Sequence, residues 1–136
     1  MKYNILLLTL CLLSFFNSSF CQNKLSPEVV VQLNLDSYNK RDIDGFMGSF
    51  SDSSDVYRFG ELIPLAAGRD EIRKLYEKLF NSSPNLHSEI AHRTTLGNKI
   101  IDHELITGRN GDSQALELVV IYEVENDLIK RMTIIR

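Results

Sequence analysis

The hydrophobic pattern of this chain changes its period once, near Leu86. Before that residue, apolar side chains recur every three or four positions; after it they recur at every second position, down to Ile135. A helix buries one face with a period of 3.6 residues and a strand buries one with a period of two. Helices therefore collect in the first half and strands in the second. That segregation implies an α+β domain whose helices cover one face of an antiparallel sheet.

Local signals place the elements. Ser26-Pro27-Glu28 supplies an N-cap hydroxyl, a proline at the first helical position and an early acid. Val31, Leu35 and Tyr38 then mark the buried face of a first helix that ends at Asn39-Lys40-Arg41. Asp42 can cap a short second helix with Phe46, Met47 and Phe50 on its apolar side. Residues 51–55 are all polar and read as a loop before a short strand at 56–59. A third helix is predicted over 70–80 from Ile72, Leu75, Tyr76, Leu79 and Phe80. Strands are predicted near 86–96, 99–107, 114–124 and 128–135, separated by Gly97-Asn98, by a glycine-rich turn at 108–112, and by Glu125-Asn126-Asp127.

The N-terminal end differs in composition from the rest. Lys2 is followed by an apolar run over residues 5–16 that is interrupted by Asn17-Ser18-Ser19, shorter than the about 20 apolar residues needed to span a bilayer. This is the pattern of a signal peptide over residues 1–21, cleaved before Gln22. Acylation at Cys21 is the less favoured alternative, because bulky Phe20 precedes it. A secreted or periplasmic protein with no membrane contact after cleavage is expected, its domain running over 22–136. Cys11 and Cys21, the two cysteines, fall within or at the edge of that segment, so no disulfide is expected in the domain. The net charge of −3, one unit more negative without Lys2, argues against nucleic acid as a partner, since that requires a basic footprint.

The stretches Tyr38-Asn39-Lys40-Arg41-Asp42-Ile43-Asp44-Gly45-Phe46 and Gly68-Arg69-Asp70-Glu71-Ile72-Arg73-Lys74-Leu75-Tyr76, with the closing strand pair over 119–135, resemble the nuclear transport factor 2-like superfamily, in particular its SnoaL-like and ketosteroid isomerase-like branches. The resemblance covers nearly all of residues 22–136. It implies a cone-shaped curved antiparallel sheet wrapped around three N-terminal helices, a deep apolar pocket and a homodimer formed through the sheet. It does not fix an activity, because one fold hosts many. Ketosteroid isomerases of this fold use an aspartate base, a helix-one tyrosine and a protonated aspartic acid. By resemblance these positions fall here at Arg58, Asn34 and Val120. A guanidinium cannot act as the base, Asn34 can still donate a hydrogen bond, and Val120 cannot.

His87, His92 and His103 invite a metal reading, but His87 and His92 have opposite strand parity and no cysteine is at hand, so no metal site is expected. Strand alternation places Asp102 and Glu104 together with Ile100 and Ile106, read here as a solvated or dimer-edge face, and His103 with Ile101 and Leu105 on the inward face. On the next strand Leu116, Leu118, Val120 and Tyr122 are expected to line the pocket, with Val56 and Arg58 at its open end. With no phosphate loop or nucleophile elbow, no cofactor is expected. Two functions fit. The pocket binds a small hydrophobic molecule, with Asn34, Arg58, Val120 and Tyr122 against it, or the protein is a cofactor-free isomerase, cyclase or hydratase that uses His103 as its acid and base.

Overall fold

A computed structural model describes residues 24–136, so the signal segment expected over 1–21 lies outside the described residues. Helix α1 (Pro27–Lys40) begins where Ser26 accepts a hydrogen bond from the Val29 amide, and it ends at Arg41 in the left-handed region (φ 55°). Helix α2 (Ile43–Gly48) is capped by Asp42, which accepts from the Gly45 amide. Strand β1 (Phe50–Arg58) and the two-residue β2 (Ala66–Ala67) precede α3 (Gly68–Ser82). Strands β3 (His87–Leu96), β4 (Lys99–Thr107), β5 (Leu116–Glu125) and β6 (Leu128–Ile135) follow, with a short 3₁₀ turn at Arg109–Gly111. Three helices and one curved, unclosed six-stranded sheet make the expected α+β architecture.

The strand order is β2-β1-β6-β5-β4-β3. From β3 to β6 the sheet is an antiparallel meander, while β1 joins β6 in parallel. Residues 51–55 belong to β1, contrary to the loop expected from their polarity. Pairing with β6 overrides the missing apolar alternation, with a register shift between Phe50 and Asp55. Within that irregular stretch Ser54 is buried and donates to the Ile129 carbonyl at 2.6 Å, so the polar run meets its hydrogen-bonding needs inside the sheet.

The helices fill the concave side. Val31, Tyr38, Phe46, Met47, Ile72, Tyr76 and Phe80 pack on Val56, Ile100, Val120, Tyr122 and Met132 of the sheet. Four rings form the centre of this layer: Phe46 stands 4.2 Å from Tyr76 between centroids, and Tyr38 and Phe80 meet edge to face at 5.6 Å, a geometry that adds to simple area burial.

Candidate functional site

Between the ring cluster and the sheet lies a cavity of about 90 Å³, room for several waters or a small organic molecule. Its wall is mainly apolar, with Phe46, Tyr76, Leu118, Val120 and Met132 among its lining. Asn34, Val120 and Tyr122 also lie in that lining. Asn34 is buried in α1, and its amide nitrogen donates to the Phe46 carbonyl at 3.1 Å, tying α1 to α2.

The polar centre of the cavity is Glu104. It is 4% exposed, with one oxygen accepting from the Ser88 hydroxyl at 2.7 Å and the other from the Tyr122 hydroxyl at 3.2 Å. Burial raises its pKa above the ordinary carboxylate value, and Asp102 nearby adds to the rise. The hydrogen bonds from Ser88 and Tyr122 and the field of Arg93 pull the other way. Burial likewise holds the Tyr122 phenol well above its usual value. The site thus holds a carboxyl group with an enhanced hold on its proton beside a neutral phenol, and the pair can donate or accept at one point of an apolar wall.

Asp102, next on the same face, is fully buried. Arg93 grips it through Nε and Nη2, each at 2.7 Å, and reaches Gln32 of α1 at 2.9 Å. Asp102 and Glu104 are therefore neither solvated nor at a dimer edge. They share the inward face with Ile100 and Ile106, both buried, and their charge is tolerated because each oxygen has a partner.

The same parity turns His103 outward. Its ring is 38% exposed on the convex face, where Nε2 meets Glu117 at 2.7 Å. It does not line the cavity, so the expected inward acid-base role has no geometric basis, and Ile101 and Leu105 share its outward face. Arg58 is also outside the cavity. It is exposed at the end of β1, with Glu61 3.7 Å away, while Val56 on the same strand is buried. A bulge in β3 between Ile90 and His92 also corrects the parity of the histidines. It brings His92 directly opposite His103, on the outer face, and His87 opposite Thr107 on that same face. Among the described residues no group of three or more His, Cys, Asp or Glu could hold a metal ion.

Arg109, which no sequence signal marks, lines the cavity from the 3₁₀ turn after β4. The Asn110 amide donates to Ser83 Oγ and the Ser82 hydroxyl to Asn110 Oδ1, both at 2.8 Å, so the turn is fastened to the end of α3. Gly108, at φ 69°, is required there: a Cβ would stand 2.1 Å from the Asn85 carbonyl oxygen.

A family model described as a SnoaL-like domain matches residues 31–132. Solved structures similar to the chain share its fold. An uncharacterised cystatin-fold protein from Novosphingobium aromaticivorans has 20% identity over 82% of this chain and 99% of its own, with a TM-score of 0.75. A putative ketosteroid isomerase from Kribbella flavida has 15% identity over 80% and 76%, TM-score 0.69. A putative SnoaL-like polyketide cyclase from Jannaschia sp. has 13% over 82% and 85%, TM-score 0.67. No curated protein sequence matches.

Proposed function

The chain belongs to the SnoaL-like domain family, and from that premise we propose that it binds one small, largely apolar molecule in the cavity between the helices and the sheet. The observation that carries this reading is a mostly apolar wall into which Glu104 and Tyr122 bring a hydrogen-bonded pair of polar groups. Apolar walls supply affinity, and a few fixed polar groups supply orientation. The descriptions of two fold relatives as an isomerase and a polyketide cyclase support a ligand of the same general class. Calorimetry with a panel of small aromatic ketones and phenols tests the proposal on the wild type and on Leu118→Trp, which fills the cavity. Micromolar to millimolar binding lost in Leu118→Trp is expected; binding indifferent to that change ends the reading.

A second reading is favoured by the burial of Glu104: cofactor-free acid-base chemistry, such as isomerisation, cyclisation or hydration, with Glu104 in the role first expected of His103. A carboxyl with a raised pKa inside an apolar site can pass a proton to and from a bound carbonyl compound. Exchange of the α-protons of 2-tetralone in heavy water, followed by NMR, should be accelerated by the wild type and not by Glu104→Gln. Equal rates with protein and with buffer would remove this reading and leave the first.

The proposal also places the domain outside the cell membrane. The charge at Lys2, the apolar run at 5–16 and the small residues before Gln22 support export. Mass spectrometry of protein from its host should find an N-terminus within a few residues of Gln22, and an intact Met1 in the exported pool refutes it. Two copies paired through the convex sheet face complete the proposal, supported by the half-exposed Ile101, Leu105, Val119 and Ile121 there. Light scattering on the eluting protein measures this, and a monomer at all concentrations ends it.

A further inference from the structure

Arg109 is half-buried at the edge of an apolar cavity, and among the described residues no carboxylate lies within 4.0 Å of its guanidinium. That is an expensive place for a cation. A guanidinium partly removed from water without a partner loses solvation that nothing returns, whereas the buried carboxylates Asp102 and Glu104 both have partners. The group also faces the cavity rather than turning away. Its positive field reaches the buried Tyr38 and Tyr76 phenols, where it opposes the rise that burial imposes on both.

Its position marks the mouth. Arg109 lines the inner cavity and also a surface depression shared with Leu116, Asp112 and Arg136. Asp112 in that depression is engaged by the Gln114 amide at 2.9 Å. Arg136 adds a second guanidinium to the depression and Asp112 a carboxylate, so Arg109 is the cation that also reaches the inner cavity. The turn that carries Arg109 is pinned by Ser82 and Ser83 and packs closely on the backbone of Asn85, so a ligand need order only the Arg109 side chain.

We infer that the ligand is a small apolar carboxylate, seated with its anionic group on Arg109 at the mouth and its apolar body between Phe46, Tyr76 and Leu118. This rests on the pocket reading above and narrows it to one chemical class. Arginine suits the task because its planar fork matches a carboxylate with two parallel hydrogen bonds. The arrangement also separates charges sensibly: the anion stays at the mouth, and the inner end of the ligand meets Glu104, whose hold on its proton limits repulsion between two carboxylates.

Three probes of one shape decide the matter: 3-phenylpropanoate, its neutral amide and propylbenzene, titrated at pH 7 into the wild type, Arg109→Gln and Arg109→Lys. In the wild type the carboxylate should bind at least about tenfold more tightly than the amide, with a preference that shrinks as salt is added. Arg109→Gln should bring the ratio close to one and weaken the carboxylate far more than propylbenzene, while Arg109→Lys retains part of the preference. Circular dichroism confirms that each variant is folded. Equal affinity for acid and amide in the wild type, or a preference that survives Arg109→Gln, overturns the inference; continued binding of propylbenzene would then leave the pocket reading standing. If none of the three probes binds the wild type, both fall together.

Discussion

Arg93 lies directly across the β3–β4 hairpin from Asp102 and holds both of its carboxylate oxygens, each at 2.7 Å. The two partners are unequally buried: the Arg93 side chain is 20% exposed and that of Asp102 1%. Removing either partner therefore has a different cost. Arg93→Ala strands a carboxylate in the core and should destabilise the domain by about 3–5 kcal/mol. Asp102→Ala leaves a guanidinium that can turn toward water and should cost clearly less. Denaturant unfolding of both variants checks this order, and equal losses would contradict it.

Glu104 gives stability a definite dependence on pH. Its pKa in the folded protein is raised above the ordinary 4.5 by burial, so between those two values the folded state binds the proton that the unfolded chain has released. The contribution is fully present below the ordinary value and is lost as pH rises through the raised one. Glu104→Gln keeps the shape and removes the titration. Its unfolding midpoint should change less than that of the wild type over this window, gaining on it as pH rises, and parallel profiles would show that Glu104 is not the group responsible.

Gly108→Ala should be among the most disruptive single-methyl changes in the domain. It places a side chain at φ 69° and 2.1 Å from the Asn85 carbonyl oxygen, contacts the backbone can relieve only by moving the turn. A loss of about 2–3 kcal/mol is expected. Gly111→Ala, with a similar φ of 76° but open space around it, separates the clash from the strain and should cost less.

His103→Ala should change little. The ring and Glu117 are both substantially exposed, and such pairs contribute about 0–1 kcal/mol. Cavity ligands should bind the variant as they bind the wild type. A large loss of binding would mean that the convex face takes part in recognition.

A 3-keto-Δ5 steroid should not be isomerised faster than in buffer. By the resemblance to ketosteroid isomerases, the position of the base falls on Arg58, which is exposed near Glu61, and that of the oxyanion acid on Val120; loss of one oxyanion donor alone costs about 10²–10³ in rate. Absorbance at the wavelength of the conjugated product measures it.

Much of the fold follows from local signals. Ser26 and Asp42 cap the helices they announce, and the Gly97-Asn98 turn sets a register that pairs Leu96 with Lys99 and Arg93 with Asp102. The inward face of β4 is not legible from that strand alone. Ile100 and Ile106 compete with Ile101 and Leu105 for the core, and carboxylates look like the outer face unless their partners are known. Residues directly opposite one another in an antiparallel pair share a face. Once Tyr122 is placed inward, its partner Ile100 is inward too, and with it Asp102 and Glu104, while His103 follows Val119 outward. Arg93 across from Asp102 was the available signal. Arg109 gave none, because a glycine-rich turn hides which of its side chains folds back over the domain, and the β3 bulge that reverses His92 has no marker in Glu89-Ile90-Ala91.

The parallel pairing of β6 with β1 has a consequence for how the molecule comes into being. The segment Leu128–Ile135 follows every other described strand in the chain, yet it sits in the middle of the sheet, between β1 and β5. Until it emerges, β1 can pair only with the two residues of β2, and the meander ends at an open β5 edge. Contacts that close the sheet span most of the domain, such as Val56 with Met132, and long loops of this kind form slowly. Without that strand the sheet is two incomplete halves, and the cavity, whose wall includes Met132 and Ile134 of β6, comes into existence only when the last strand joins them.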